Sequence, residues 1–323
     1  MYKTILRRFL VLIPQLFLIS VVMFVLAVNM PGDALSGMLD PNLPLATIEQ
    51  MREDMGLNLP WYQRYINWVG GMLVGDFGRS TAHMQPVLDV IGERIWNTFS
   101  LGVYSLFLTY LIAIPLGVLA GKHSGTALDK AIITYAFVAL AMPTLVLGIV
   151  MIFLFSPIGL GWFPLGGSVS AVVLSTGTPF EIFLNQLHHR TLPAISLSLV
   201  STITIIFMLR ANVIDRKASD YVTLARSKGV PSRTIFGKHI LRNSLVPVAS
   251  HIGLAIAFTF GGAVFIEMIF SYPGMGTLFL DSINRRDFPV ANVIVMFFAF
   301  LTALGVLLSD IILTIVDPRI RIR

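Results

Sequence analysis

Six runs of about twenty or more mostly apolar residues set the frame for this chain, at 9–29, 98–120, 132–155, 192–212, 245–270 and 290–316. Each is long enough to cross a hydrocarbon layer as an α-helix. In lipid the backbone finds no water to bond, so helices that satisfy their own N–H and C=O groups are the available solution. The expectation is an all-α polytopic membrane protein with six transmembrane helices. Pro14, Pro115, Pro143, Gly261 and Gly262 interrupt the runs. Such breakers are tolerated where neighbouring helices satisfy the freed groups. Composition agrees: 12% of residues are charged, half of the roughly 25% of a soluble domain. The first run is too long for a signal h-region and no small-x-small cleavage site follows, so it reads as a retained helix.

Lysine and arginine set the orientation, because they concentrate in cytoplasmic loops. One set of segments holds Lys3, Arg7, Arg8, Lys122, Lys130, eight basic residues within 210–244, and Arg319, Arg321 and Arg323, making 16. The other set holds Arg52, Arg64, Arg79, Arg94, Arg190, Arg285 and Arg286, making 7. Both termini are therefore expected in the cytoplasm. The net charge of +6 is accounted for by these loops and by anionic lipid, so no nucleic-acid partner is expected. The absence of cysteine excludes disulfides and thiolate chemistry.

The expected organisation is a start and first span (1–29), an extracytoplasmic helical segment (30–97), a five-helix core (98–316) and a cytoplasmic tail (317–323). Within 30–97, Thr47 and Gln50 fit a capping box and Gly56 a helix stop. A second helix follows Pro60 with Trp61, Tyr65, Trp68 and Val69 on one face, suited to a membrane surface or to the ends of spans.

The cytoplasmic loop 214–244 is the most informative stretch. After Ser219, residues 220–228 read as a short helix with Tyr221, Leu224, Ala225 and Lys228 on one face. Gly229 stands where a left-handed glycine ends a helix, and Arg226 and Lys228 complement its dipole. Pro231 opens a second helical run through Ile235, His239 and Arg242. Two readings stay open on physics alone: a topological anchor, or a transverse helix that docks in another protein's groove.

The run "DYVTLARSKG" with "ILRNSLVPV" resembles the coupling loop of binding-protein-dependent ABC importer permeases of the peptide/nickel group. The resemblance continues through "MPGD" (30–33), "GDFGRS" (75–80), "NTFSLGVYSLFLTYLIAIPLGVLAG" (97–121), "FSYPGMGTL" (270–278), "RRDFPV" (285–290) and "DPRIR" (317–321). It is similar to the first permease subunit of oligopeptide and dipeptide systems. The Glu-Ala-Ala of the wider group falls on Thr223, Leu224 and Ala225, and of that signature only Ala225 and Gly229 persist.

The resemblance implies a type I importer permease fold in a bacterial or archaeal cell membrane and a channel subunit without chemistry of its own. Implied partners are a second related permease, two cytoplasmic ATPases that bind ATP and magnesium, an extracytoplasmic binding protein, and membrane lipid. This chain should bind no cofactor or metal. The phosphate loop G-x-x-x-x-G-K-[ST] is absent, since Gly121-Lys122 and Gly237-Lys238 are each followed by histidine. Tyr221, Leu224, Ala225, Arg226, Lys228 and Gly229 are the candidate ATPase-coupling residues. Arg285, Arg286 and Asp287 with the turn at Pro273 and Gly274 are candidates for binding-protein contact, against a plain solvated turn. Glu267 is a candidate for the translocation path or gate, against interfacial snorkelling. Arg210 and Asp310 are at similar depth and are expected to pair.

Oligopeptides are the expected substrate, with dipeptides or nickel as alternatives. An ion-coupled secondary transporter is a more distant reading, because midplane ionisable residues are few. An intramembrane serine protease would need Ser168 and His251, which belong to opposite ends of the spans. His188 and His189 read as a loop pair rather than metal ligands.

Overall fold

Five of the six apolar runs form single helices, and one is divided at a proline. The computed structural model describes residues 2–29, 45–54, 56 and 58–316. The "MPGD" run at 30–33 and the tail 317–323 are outside the described residues. In chain order the helices are α1 (Tyr2–Asn29), α2 (Leu45–Asp54), α3 (Trp61–Leu73), α4 (Val87–Lys122), α5 (Ala127–Ala141), α6 (Thr144–Phe155) and α7 (Ala171–Thr176). They continue with α8 (Pro179–Lys217), α9 (Asp220–Ser227), α10 (Ser232–Thr234), a π-helical stretch (Ile235–Leu241), α11 (Arg242–Ser244), α12 (Val246–Ile269), α13 (Met275–Asn284) and α14 (Phe288–Val316). No strand occurs among the described residues, only a bridge between Arg79 and Pro86.

Helices α1, α4, α8 and α14 are each long and apolar enough to cross a membrane. The run 132–155 is not the single straight helix expected. It breaks into α5 and α6, which meet at 106°. Pro143 brings no N–H to the junction, and Met142 before it is extended, at φ −89° and ψ 117°. A residue preceding proline is pushed out of the helical region in this way. Pro14 and Pro115 remain inside their helices. Thr47 is inside α2, not at its start, whereas Gly56 has φ +64°, as a helix stop requires.

The centre of the molecule is the α4–α8 pair. The buried stripe of α4 includes Ser105, Thr109, Ala113, Gly117 and Gly121, spaced four apart. Residues at that spacing share a face, and small ones let two backbones approach closely. At Gly121 an added Cβ would be 2.6 Å from Val213 Cβ and 3.0 Å from the Arg210 carbonyl oxygen. At Gly117 it would be 3.0 Å from Leu209 Cβ.

Three apolar clusters fill the interior. One joins Ala113, Ala120, Ile206, Leu209 and Val213 to Val222, Ala225, Ile235, Ile240 and Val248 of the 214–244 loop region and α12. A second gathers Leu101, Leu192, Leu197, Ile266, Phe270 and Tyr272. The third packs Val87 and Ile91 of α4 on Met275, Leu278, Val290 and Ile294. Helix α3 lies on α1: Tyr65 meets Phe17 and Phe24 edge-on, and its hydroxyl is 2.7 Å from that of Ser20. The aromatic stripe therefore seats on the second half of a span, from Phe17 to Phe24, and not only on its end.

Candidate functional site

Two polar assemblies stand at opposite ends of the long helices. The first is built around α9. Ser219 occupies the position before the helix with an extended ψ of 145°, but its hydroxyl bonds the Asp215 carbonyl and leaves the helix uncapped. The buried side of α9 is Val222 and Ala225, at 0% and 9% exposure. Their spacing of three places them on one face. Tyr221 and Leu224 point away, at 36% and 57% exposure. The expected grouping is corrected here: Ala225 is a core contact that seats the helix, and the outward surface is Tyr221, Leu224, Arg226 and Lys228.

The helix ends at Ser227 with Lys228 as its cap. Gly229 has φ +74°. Its N–H donates to the Arg226 carbonyl at 2.9 Å, and the Val230 N–H to the Ala225 carbonyl at 3.2 Å. These are the two bonds of a Schellman motif, which satisfies carbonyls that a helix end leaves open. An added Cβ at Gly229 would meet nothing within 4 Å, so the demand for glycine is conformational. Pro231 then opens the second run, which widens into the π-helical stretch Ile235–Leu241 before α12. Tyr221 Oη reaches the His239 carbonyl at 3.5 Å, linking the two runs.

Charged groups tie this region to the central pair. Lys217 Nζ donates to the Lys122 carbonyl at 2.9 Å, and Lys122 Nζ stands 5.3 Å from the centre of the Phe236 ring. Arg210 forks onto Asp129, with Nε to Oδ1 at 2.7 Å and Nη2 to Oδ2 at 2.8 Å. The expected Arg210–Asp310 pair is corrected. Asp129 opens α5, which packs beside α8, and a planar guanidinium favours a two-oxygen acceptor.

The second assembly surrounds Glu267. This carboxylate is fully buried, at 0% exposure. It accepts from Thr98 Oγ1 at 2.5 Å and from the N–H groups of Gly276 and Thr277 at 2.8 and 3.1 Å. Those two amides begin α13, where an anion complements the helix dipole. An added Cβ at Gly274 would overlap the Glu267 carboxylate. Neither expected role fits: Glu267 does not snorkel, and within this chain it faces the start of α13 rather than open space.

Around it, Asn97 Nδ2 donates to the Pro273 carbonyl at 2.9 Å, and the Met275 N–H to Thr98 Oγ1 at 2.7 Å. Arg190, 6% exposed, donates from Nε to Tyr272 Oη at 2.9 Å, while its Nη2 has no partner among the described residues. Burial pushes the Tyr272 phenol up from its ordinary range.

Asp287 is buried as well, at 0% exposure. It accepts from the Ser80 hydroxyl and from the Thr81 and Ala82 N–H groups at 3.2 and 3.3 Å. The "GDFGRS" turn prepares this: Gly75 and Gly78 have φ +86° and +77°, and Asp76 Oδ1 accepts from the Gly78 N–H at 2.9 Å. Asp287 and Gly274 are thus internal struts, which corrects their assignment to an exposed contact surface. Arg285 remains exposed and pairs with Asp281 at 2.8 Å, Arg286 is half-buried with φ +59°, and Pro273 is half-buried. The loop placement expected for the two histidines is corrected: both lie within α8, with His188 Nε2 2.8 Å from the Trp162 carbonyl and His189 Nδ1 3.0 Å from that of Gly166 in the preceding loop.

Residues 113–322 match the family described as "Binding-protein-dependent transport system inner membrane component", and residues 1–102 match its N-terminal counterpart. The chain belongs to this family. It is a non-catalytic permease subunit of an ABC importer, whose ATPase is a separate chain. The permease is 40% identical over 317 residues to the oligopeptide transport system permease protein AppB of Bacillus subtilis (strain 168), covering 98% of each chain. It is 30% identical over 321 residues to the glutathione transport system permease protein GsiC of Escherichia coli (strain K12), covering 99% of each. A solved structure of the MetNI methionine ABC transporter in an inward-facing conformation shares the fold. Its TM-score is 0.54 at 15% identity, covering 71% of this chain and 97% of that one.

In this permease the runs that carry the resemblance meet in space. Asn97 and Thr98 of one touch the Pro273–Met275 turn of another, and Ser80 of a third touches Asp287 of a fourth. Sequence reasoning missed Val222, Thr98, Asp129 and Arg190. The four-residue repeat of small side chains from Ser105 to Gly121 was a readable signal for the α4 stripe, as spacing three was for Val222. The other three are recognised only through their partners.

Proposed function

We propose that this permease passes oligopeptides through a path formed with a second related permease. Two cytoplasmic ATPases drive it and an extracytoplasmic binding protein delivers the substrate. The observation that carries the reading is α9. Its inward face is anchored in the core by Val222 and Ala225, its end is fixed by the Gly229 motif, and Tyr221, Leu224, Arg226 and Lys228 stand outward. A short helix so held is a rigid knob for another protein's groove, able to carry a push into α8 and α12. The departure from Glu-Ala-Ala gives the contact to shape and to Arg226 and Lys228 rather than to an acid. The oligopeptide assignment rests on the identity to a relative named for that transport; dipeptides or nickel are the alternatives within the same class.

In this reading the polypeptide makes six spans, the fifth of them α12, with both termini and α9 in the cytoplasm as the lysine and arginine distribution requires. Arg285 and Arg286 then stand on the extracytoplasmic side, and the exposed Arg285 offers the contact to the binding protein. The test is a mild-detergent pull-down of the tagged chain from its own membranes. Recovery of two ATPases and a second permease supports the reading, and the ligand on an accompanying binding protein names the substrate. A monodisperse chain recovered alone transfers weight to an ion-coupled carrier.

A further inference from the structure

A cavity of about 470 Å³ opens between α1, α3, the turn after α3 and the start of α14. Phe24 and Trp68 form apolar walls, and Arg64, Arg79, Thr81 and Asn292 supply polar atoms. Among the described residues no carboxylate lines it. The Trp68 indole N–H is buried without an acceptor among the described residues, and Asn292 is only 6% exposed. Arg79 spends one N–H on the Met84 carbonyl, at 2.9 Å, leaving others for a ligand. A site of this size is in the usual range for small molecules, roughly 300–1,000 Å³. Its chemistry is donors and two cations over an apolar floor, which fits an amphiphile with an anionic head.

The position says which amphiphile. Helix α1 is a candidate span that presents Leu18, Val22 and Leu26 outward, each about half exposed or more, and the cavity lies on its other side, against its last turns at Phe24, Ala27 and Val28, where the span ends. Buried N–H groups in such a place are costly unless an acceptor arrives. We infer that this cavity holds the headgroup and first acyl carbons of an anionic membrane phospholipid, with Arg64 and Arg79 on the phosphate and the apolar walls on the glycerol and chain. The bound lipid stitches α1 and α3 to the start of α14 and so to the Asp287 strut.

The test uses the full chain purified with the subunits that accompany it. The protein is exchanged into micelles holding equal amounts of phosphatidylglycerol and phosphatidylcholine, and native mass spectrometry reads the lipids left on this subunit after dissociation. One phosphatidylglycerol retained in preference to phosphatidylcholine is expected. Arg64→Gln should lower that preference about fivefold, the worth of one cation near a membrane phosphate. Arg64→Lys should keep most of it, and Arg285→Gln, at a distant exposed site, all of it. Equal retention of the two lipids overturns the inference, as does an undiminished preference in both Arg64→Gln and Arg79→Gln. If millimolar inorganic phosphate displaces the retained lipid completely, the site takes a soluble anion and the lipid assignment falls. Loss of preference in Arg64→Lys as well as Arg64→Gln would mean a shape role for the side chain, and also overturns it.

Discussion

The guanidinium of Arg210 and the carboxylate of Asp129 face each other as two parallel hydrogen bonds of 2.7 and 2.8 Å. The Asp129 side chain is 4% exposed and that of Arg210 30%. Removing Arg210 strands the buried Asp129 carboxylate, a loss that in a fully buried pair costs about 3–5 kcal/mol; removing Asp129 leaves a partly solvated guanidinium and costs less. Asp129→Ala and Arg210→Ala should each lower the thermal midpoint of the assembled transporter, and the double variant should lose less than their sum. Arg210→Ala and Asp310→Ala should instead add to within about 0.5 kcal/mol. Strong non-additivity in that second cycle would restore the Arg210–Asp310 pair.

Glu267→Ala removes the acceptor for Thr98 Oγ1 and for two α13 amides. Each orphaned donor costs about 1–3 kcal/mol, so this variant should be barely recovered from membranes. Glu267→Gln keeps an oxygen for the amides and should be recovered at reduced midpoint. Equal yields of the wild type and the alanine variant would remove Glu267 from the support of α13.

Gly229→Val forces a branched side chain into the left-handed region, at about 1–2 kcal/mol or more. With open space around it, no clash adds to that. Membrane levels should persist while uptake falls and ATP hydrolysis continues, since the seat of α9 is altered and the nucleotide site is on another chain. Gly229→Asn, which tolerates this conformation, should retain most uptake. Full uptake in the valine variant would detach α9 from coupling.

Gly121→Leu places atoms where Val213 and the Arg210 backbone already stand. Overpacking of this kind costs about 1–3 kcal/mol. The expected result is a lower midpoint with faster proteolysis at the α9 end, and a paired Val213→Ala should recover part of it. No recovery would mean that α8 does not bear on Gly121.

Reversing Arg285 and Arg286 to glutamate should leave the fold nearly intact where Arg285 is concerned, because its exposed pair with Asp281 is worth about 0.3–0.5 kcal/mol. Uptake should fall with basal ATP hydrolysis unchanged. Wild-type uptake would return these residues to the role of a solvated turn.

Much of this architecture was open to reading from the sequence, and the reasons are physical. Apolar length reports a span directly, so α1, α4, α8 and α14 fall where the runs do, and Gly229 is legible because few residues other than glycine accept φ near +74°. What failed was azimuth and partnership. Depth along a helix suggested Asp310 for Arg210, but which way a side chain faces depends on helix rotation, and Asp129 lies just before the apolar run 132–155. Glu267 looked like an interfacial acid because its main partners are backbone amides, which no residue letter announces. Asp287 was misread for the same reason. Ala225 was grouped with Tyr221 by a loose helical repeat, although the pair Val222 and Ala225 at spacing three marked the inward face. The α5–α6 corner was signalled by Pro143, but a proline in a membrane run is compatible with a straight helix as well as a bent one.

Helix α8 runs unbroken through 39 residues, about 58 Å at the usual rise, well beyond the thickness of a hydrocarbon layer. Its tight crossing with α4 is not at its middle but near Ile206, Leu209 and Val213, close to the end that adjoins α9. That makes it a lever with unequal arms. A tilt of about 5° at the crossing displaces the short arm by about 1 Å and sweeps the far end, some 28 residues away, through about 4 Å. At Arg190, beside Tyr272 and about 28 Å from the crossing, the same tilt moves the helix by about 2 Å, roughly twice what is delivered beside α9.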